Sequence, residues 1–391
     1  MLLKMKILVL GAGLVGRPMA LDLANDADYK VDVADANDER LKKLKGNPAI
    51  NTLRLDAGDE KKLKRTVQSY DLIVNALPGF LGYRVTKWVI ESGINLVDIS
   101  FFPEDPEPLE KLAIEKNITA MIDCGVAPGM SYILAGFAHY QLIETQKIRI
   151  YVGGLPVIRN YPFEYKAVFS PVDVIEEYTR PARYVKGGQI IVMPALSEAE
   201  LIDFPNLGTL EAFNTDGLRS MLKNIPCPDM VEKTLRYPGH ISKIQFLKDC
   251  GFFSEELIDY QGIKIRPLDF TSQILFPLWK LNEHEKDLTI MTVIVEGISG
   301  HNGEKIRKIF RWDLLDTYDE KTGIHSMART TGYTATAAVR MLTSGIFRQK
   351  GLIYPEFIGK YPECVAFMLE YLKKRGVNYI SSTEETLLPE N

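Results

Sequence analysis

The segment Lys6-Ile-Leu-Val-Leu-Gly11-Ala-Gly13-Leu14-Val15-Gly16 decides how the first third of the chain folds. Lys6–Leu10 is a short apolar run of the kind that is buried on both faces of a parallel sheet. The glycines follow it at GxGxxG spacing and lead into an amphipathic stretch, Leu14–Asn25. A lone GxGxxG is weak, because glycine-rich turns are common; a strand before it and a helix after it supply the missing context. Gly11 permits the tight turn, Gly13 lets the backbone approach a pyrophosphate, and Gly16 lets the helix pack closely on the sheet. The helix N-terminus then meets the negative charge. The whole turn, Leu14 and Val15 included, is assigned to a dinucleotide.

Working outward, Lys30–Ala34 is the second strand and Asp35 ends it, nineteen residues beyond Gly16. A carboxylate there accepts both ribose hydroxyls of NAD and repels the 2′-phosphate of NADP. No basic residue follows immediately, the nearest being Arg40, so NAD is the expected cofactor. Further strands are expected at Thr52–Leu55, Asp71–Asn75, Asn95–Ile99 and Ile118–Ile122. Helical stretches lie between them at Glu39–Leu44, Glu60–Ser69, Leu81–Ser92, Pro106–Lys116 and Met130–Leu142. Six such β-α repeats with short loops predict an α/β domain, a Rossmann doubly wound parallel sheet over residues 1–145. Ligands of such sheets bind at the carboxyl ends of the strands. That edge carries Asp56, which either faces the adenine or caps the next helix, and Asn75-Ala76-Leu77-Pro78. It also carries Asp98 and Asp123-Cys-Gly-Val-Ala-Pro-Gly129.

Beyond about Lys147 the pattern changes. Ile148–Gly153, Gln189–Val192 and Leu288–Glu296 are strand-like, with Pro- and Gly-rich loops between them, and Ser299–Glu304 before Ile306–Trp312 predicts a hairpin. Residues 146–327 are therefore expected to form an inserted α+β domain with a mixed or antiparallel sheet. Residues 328–391 return to the first domain through helices at Thr330–Leu342 and Glu363–Arg375, ending in a polar, frayed tail from Ser381.

Composition narrows the function classes. Of 391 residues, 46% are apolar and 25% charged, enough for a sizeable core in about two domains. A net charge of −4 excludes an overall basic footprint for nucleic acid. No apolar run is long enough for a bilayer, and the N-terminal Met1–Leu10 has no signal-peptide cleavage site. The four cysteines have neither CxxC spacing nor a zinc pattern, so no metal is expected. The expectation is a soluble, reducing, cytoplasmic protein.

Several segments in matching order resemble the saccharopine dehydrogenase-like family, and within it the L-lysine 6-dehydrogenases. They are Gly125-Val-Ala-Pro-Gly-Met130, Tyr151-Val-Gly-Gly-Leu-Pro156, Glu164-Tyr-Lys-Ala-Val-Phe-Ser170, Glu211-Ala-Phe-Asn-Thr-Asp-Gly217, Thr234-Leu-Arg-Tyr-Pro-Gly-His240 and Arg329-Thr-Thr-Gly-Tyr333. The likeness covers nearly the whole chain. Saccharopine reductases resemble it too, but they carry Asp where this chain has Ala127 and an aromatic residue where it has His240. Both departures point to the lysine branch.

The resemblance implies NAD-dependent oxidative deamination of the lysine ε-amine, giving a 6-semialdehyde that cyclises, ammonia and NADH. It also implies a homodimer formed through the inserted domain's sheet. The amine must lose a proton before its carbon gives up hydride. His240, after a Pro-Gly turn, is the leading candidate for proton acceptor or relay. Asp98 and Asp123 either hold the ammonium or orient a water, or else cap loops. For the substrate carboxylate the candidates are Arg329 with Thr330, Arg219 and Arg236; Tyr165 lines the pocket or simply packs. The alternatives are an imine reductase of the saccharopine or carboxynorspermidine dehydrogenase type, and a non-catalytic NAD-binding protein.

Overall fold

In the computed structural model, residues 4–301 and 304–389 are described. The chain opens with β1 (Met5–Leu10), α1 (Gly16–Ala24), β2 (Tyr29–Asp35), α2 (Asp38–Lys42), β3 (Ile50–Arg54) and α3 (Glu60–Val67). It continues through β4 (Leu72–Asn75), α4 (Gly79–Glu91), β5 (Asn95–Asp98), α5 (Pro108–Glu115), β6 (Thr119–Met121) and α6 (Met130–His139). The middle runs through β7 (Glu144–Pro156), α7 (Pro171–Thr179), β8 (Ala182–Lys186), β9 (Gln189–Met193), β10 (Glu200–Phe204) and β11 (Gly208–Asn214). Next come α8 (Met221–Asn224), β12 (Asp229–Arg236), α9 (His240–Asp249), β13 (Ile258–Tyr260), β14 (Ile263–Ile265) and α10 (Pro267–Trp279). The long strands β15 (Asp287–His301) and β16 (Glu304–Thr317) precede α11 (Ser326–Thr343), β17 (Gly351–Ile353), α12 (Pro355–Ile358), α13 (Pro362–Lys373) and β18 (Tyr379–Leu387).

These elements form two compact units, one of Met1–Gln141 with Ala328–Tyr379 and one of Leu142–Met327 with Ile380–Asn391. The first holds a parallel sheet in the order β17-β6-β5-β4-β1-β2-β3. The order in which strands are added therefore reverses between β1 and β4, and Gly11 follows β1 at that switch point. Ile7, Leu8 and Val9 are fully buried because β1 lies mid-sheet with helices on both faces. This explains why the strand is an unbroken apolar run. The second unit holds a mixed sheet, β10-β11-β12-β7-β15-β16-β18, with β8 and β9 attached off this path. Its β12–β7 pairing is parallel, whereas β11–β12, β15–β7 and β15–β16 are antiparallel.

Two differences from the sequence expectation bear on the returning C-terminal segment. The tail expected to fray from Ser381 is β18, an edge strand beside β16 whose Glu385 pairs with Lys308 at 2.7 Å. Its residues are mostly exposed, so nothing in its polarity distinguishes it from a loop. The helix expected from Thr330 begins four residues earlier, at Ser326, because the buried Asp287 carboxylate accepts the Ser326 and Met327 N–H groups at 2.7 and 3.0 Å. The expected hairpin forms with β15 reaching His301; its turn, like Met1–Leu3 of the N-terminal stretch, lies outside the described residues. Among the described residues no helix is long and apolar enough to cross a membrane.

Candidate active site

In the first unit the turn after β1 has backbone and space that a phosphate group could use. Gly11 has φ 101°, and a Cβ on it would lie 2.8 Å from the Ala76 carbonyl oxygen. A Cβ on Gly16 would lie 2.0 Å from the Gly11 carbonyl oxygen, so only hydrogen fits at either position. Around Gly13 no atom lies within 4 Å of the place a Cβ would take, which leaves the open face a pyrophosphate needs. Leu14 is exposed on this turn, and Val15 precedes the first residue of α1.

Asp35 locks the turn to the second strand. Its Oδ2 accepts the Ala12 N–H at 2.8 Å and its Oδ1 accepts the Asn37 N–H at 2.7 Å. Each carboxylate oxygen keeps a further lone pair for a ribose hydroxyl. Arg40 folds back to 3.7 Å from Asp35, and Asp38 is held by Arg54 at 3.1 Å. Asp56 lies just past β3; its Oδ1 accepts the Gly58 N–H at 2.9 Å, while the cap of α3 is Asp59. Of the two readings for Asp56, helix capping is thus taken over by its neighbour.

Asn75 ends β4 fully buried, and its Oδ1 accepts the Leu77 N–H at 3.3 Å, shaping the Ala76-Leu77 turn. Its Nδ2 donates to Asp98 Oδ2 at 3.2 Å. Asp98 also receives the Thr86 hydroxyl and both the N–H and hydroxyl of Ser100. Burial pushes its carboxyl up to about 6, against the pull of these donors. Asp98 is fully buried, so it stands behind the Asn75 turn as a support. Asp123, 2% exposed, follows β6 with φ 54°, an uncommon backbone for a residue with a side chain. Arg329 is buried and donates through Nη2 to the Arg375 carbonyl at 2.8 Å; Thr330, beside it on α11, is fully buried.

The second unit contains a separate buried cluster. The Arg236 guanidinium lies 4.6 Å from the centre of the Tyr165 ring and donates through Nη2 to Glu177 at 2.6 Å. Its Nε donates to the Tyr178 hydroxyl at 3.2 Å. The Tyr178 hydroxyl meets His240 Nε2 at 2.9 Å, and His240 Nδ1 meets the Phe163 carbonyl at 2.7 Å. A carbonyl only accepts, so Nδ1 carries the proton and Nε2 accepts from Tyr178. Burial, reinforced by Arg236, lowers the imidazole to about 3, so it is neutral. Burial alone would pull Arg236 down, but Tyr165, Tyr178 and Glu177 outweigh it and hold the guanidinium charged. Trp279 packs against Tyr165 and Tyr178, with ring centres 5.9 and 6.2 Å apart. The Tyr165 hydroxyl and Trp279 Nε1 are buried without a hydrogen-bond partner among the described residues.

Two family models match successive parts of this chain. Residues 7–121 match the saccharopine dehydrogenase NADP binding domain, and residues 125–377 match the saccharopine dehydrogenase C-terminal domain. The chain belongs to the saccharopine dehydrogenase family. The mouse mitochondrial alpha-aminoadipic semialdehyde synthase is 26% identical across 98% of this chain, but the match covers 48% of that protein. The chain thus spans about half the length of this curated relative. Saccharopine dehydrogenase [NADP(+), L-glutamate-forming] of Saccharomyces cerevisiae is 24% identical, covering 89% of this chain and 93% of the relative. The carboxyaminopropylagmatine dehydrogenase of a Synechocystis strain is 22% identical over 90% of this chain and 92% of its own. The solved apo structure of the yeast saccharopine dehydrogenase superposes with a TM-score of 0.78 at 21% identity, covering 97% of this chain and 100% of that one. At that identity the likeness establishes the fold.

Among the residues singled out from sequence in this family member, Gly11, Gly13, Gly16, Asp35, Asn75 and Asp98 meet around one strand edge. His240, Arg236 and Tyr165 meet in the second unit. Arg219, half-buried with φ 39°, lies in the turn before α8. Sequence reasoning missed Glu177, Tyr178 and Trp279. Their one sequence cue is the spacing Val174, Ile175, Tyr178 in α7, which places Tyr178 on the inward face.

Proposed function

We propose that this saccharopine dehydrogenase family member is an NAD-dependent dehydrogenase that oxidatively deaminates the ε-amine of L-lysine. The observation that carries the reading is the buried Arg236 cluster. A charged guanidinium beside two buried polar groups without partners is a costly arrangement unless a polar ligand answers it. Arg236 already donates to Glu177, Tyr178 and the Leu235 carbonyl, so it is the Tyr165 hydroxyl and Trp279 Nε1 that a substrate carboxylate would answer, beside a guanidinium with two N–H groups left to share.

The overall conversion is balanced as the ammonium form of the amine, NAD⁺ and water giving aldehyde, ammonium, NADH and one proton. The cofactor, when bound, supplies the hydride acceptor. Asp35 and the Gly11–Gly16 turn fit the adenosine ribose and the pyrophosphate. NAD is favoured over NADP because Asp35 and Asp38 present carboxylates on that side, and Arg40 is drawn toward Asp35. The proton-accepting role first given to His240 takes a different form here. Both of its ring nitrogens are engaged, so it orients Tyr178, and through it Arg236, while Asp98 orients Asn75. Asp123, at the carboxyl edge of β6, is the remaining candidate to take the ammonium proton or to aim the water. Arg329, Arg219 and Thr330 are kept as further contacts for the substrate. The homodimer belongs to the same proposal, and sedimentation reads it.

A second reading is favoured by the names of the relatives: reduction of an imine to a secondary amine, as in saccharopine formation or cleavage. Purified protein with NAD or NADP is therefore assayed for reduced cofactor with L-lysine, L-ornithine and saccharopine. NADH and ammonia released with lysine support deamination. Turnover of saccharopine alone moves the protein to the imine branch, and silence with all three despite NAD binding removes both readings. Arg236→Lys should raise KM for the amino acid at least tenfold and leave NAD affinity unchanged, because Lys cannot reproduce the bidentate fork.

A further inference from the structure

Between α9 and α10 of the second unit, residues 255–267 form an arm that stands in solvent. Its ends are pinned together by the Leu268 N–H, which donates to the Ser254 carbonyl at 3.1 Å. Among the described residues β13 and β14 pair only with each other, in the register Ile258 with Ile265, Asp259 with Lys264 and Tyr260 with Ile263. Gln261 and Gly262 join them with φ 53° and 81°, a two-residue turn whose twist matches that of the strands, and Asp259 accepts the Gly262 N–H at 2.9 Å. Cross-strand partners share a face. One face of the arm is therefore Ile258, Tyr260, Ile263 and Ile265, and the other holds the Asp259–Lys264 ion pair at 3.6 Å.

The apolar face is the open one. Ile258, Tyr260 and Ile263 are each more than half exposed. A lone two-stranded hairpin is marginally stable in water and gains independent stability only when its apolar face is packed. The outer side of α10 repeats the pattern. Thr271, Leu275 and Trp279 are its buried stripe, whereas Phe270, Ile274 and Leu278, beside them at the same four-residue spacing, stay about half exposed. Neither open face is covered within the chain. Together these six exposed side chains leave on the order of 600 Å² of apolar surface in water, at the upper end of what a monomer carries. With a polar rim they approach the roughly 800 Å² per partner that a stable interface buries. The charges beside them are balanced locally, Asp259 by Lys264 and Arg266 by Asp269, with Glu255 and Glu256 at the base of the arm. The apolar centre thus presents no field of one sign to repel a second copy.

We propose that these two faces form a two-fold interface with a second copy of this chain, the arm of each protomer packing on α10 of its partner. Each open face then receives the other, and the contact closes on itself. The inference rests on the homodimer proposed above, places its interface on the arm instead of the nine-stranded sheet, and is independent of the lysine reading.

The test is sedimentation velocity of the full chain at micromolar concentration, where the parent should be a dimer. Ile263→Lys and Ile274→Glu, one on each face, should each weaken dimerisation tenfold or more. An equimolar mixture of the two should dimerise more tightly than either alone, because each mixed dimer regains one unmodified contact between arm and helix. Leu201→Lys on β10 and Ile380→Lys on β18, exposed positions on the two edges of the large sheet, should change nothing. Melting temperature and NAD affinity show whether each variant is folded; Tyr260→Lys and Phe270→Glu replace a face variant that is not. A monomeric parent overturns the proposal and the homodimer with it, leaving the lysine reading to the NADH assay. A dimer that survives both face variants, or a mixture no tighter than its components, overturns this interface alone. Loss of the dimer in Leu201→Lys or Ile380→Lys also overturns it and returns the contact to the sheet.

Discussion

At the scale of single residues, Asp35 and His240 show two uses of a buried polar side chain. Asp35 fixes the turn after β1 through the Ala12 and Asn37 amides and keeps a lone pair on each oxygen for the ribose contact proposed above. Removing a charged hydrogen-bond partner costs roughly 1.5–3 kcal/mol, about ten- to a hundredfold in affinity. Asp35→Ala is therefore expected to weaken NAD by that factor and NADP far less. Fluorescence titration with both cofactors checks this, and equal losses would remove the ribose assignment. His240 is held neutral, its imidazole lowered from 6.5 to about 3. Between those values the unfolded chain binds a proton that the native state refuses, so this residue makes stability fall as pH drops through the window. The slope approaches roughly 1.4 kcal/mol per pH unit. Asp98 acts with the opposite sign: raised from 3.8 to about 6, its native carboxyl keeps a proton the unfolded chain gives up, so its contribution falls as pH rises across that range. Urea unfolding across acidic pH should show a shallower acid loss in His240→Gln than in the parent. An unchanged slope would mean that the imidazole titrates normally.

At the scale of elements, the sequence announces what local pattern determines and hides what distant partners determine. Strands β1, β4, β5 and β6 were legible because double burial demands apolar runs, whereas the exposed edge strand β3, Ile-Asn-Thr-Leu-Arg, was legible from its place in the β-α alternation; the ends of all six strands agree with expectation to within two residues. The strand β18 was not, because backbone pairing with β16 asks nothing of exposed side chains. The start of α11 was misplaced for a related reason. Its cap comes not from a neighbouring residue but from Asp287, thirty-nine positions away from Ser326. The buried cluster was half legible: Arg236 and His240 share one recognisable segment, whereas Glu177, Tyr178 and Trp279 come from α7 and α10 and meet them only in the fold. Asp287 also gives this scale its prediction. Losing a helix cap costs about 0.5–2 kcal/mol, and leaving two buried N–H groups unmet puts Asp287→Ala at the upper end. Asp287→Asn, which keeps one acceptor, should lose about half as much. Chemical denaturation of both variants measures the difference, and parity of the alanine variant with the parent would mean that water replaces the cap.

At the scale of the whole molecule, the cofactor-binding unit is discontinuous in sequence. Its sheet takes β17 as an edge strand beside β6 through Gly351–Ile353, and the Gly332 backbone of α11 sits close to Val15 and Met19 of the first helix. Buried alanines and threonines of α11, Ala335, Thr336, Ala337 and Ala338 among them, supply core that residues 1–141 do not contain. A chain cut at residue 145 therefore exposes the surface that α11 covers and leaves β6 as an unprotected edge. The expectation is that residues 1–145 alone aggregate or remain partly folded and bind NAD at least tenfold more weakly than the full chain. Joining residues 1–141 to 328–379 through about ten flexible Gly/Ser residues, a linker with a typical end-to-end span near 17 Å, should restore a folded unit. That fusion should unfold cooperatively and bind NAD with near-parental affinity, because every residue contacting the Gly11–Gly16 turn and Asp35 described above lies within it. Full NAD affinity in the 1–145 fragment would show that the returning segment contributes no necessary core. A fusion that folds yet does not bind NAD would instead place cofactor contacts in the second unit.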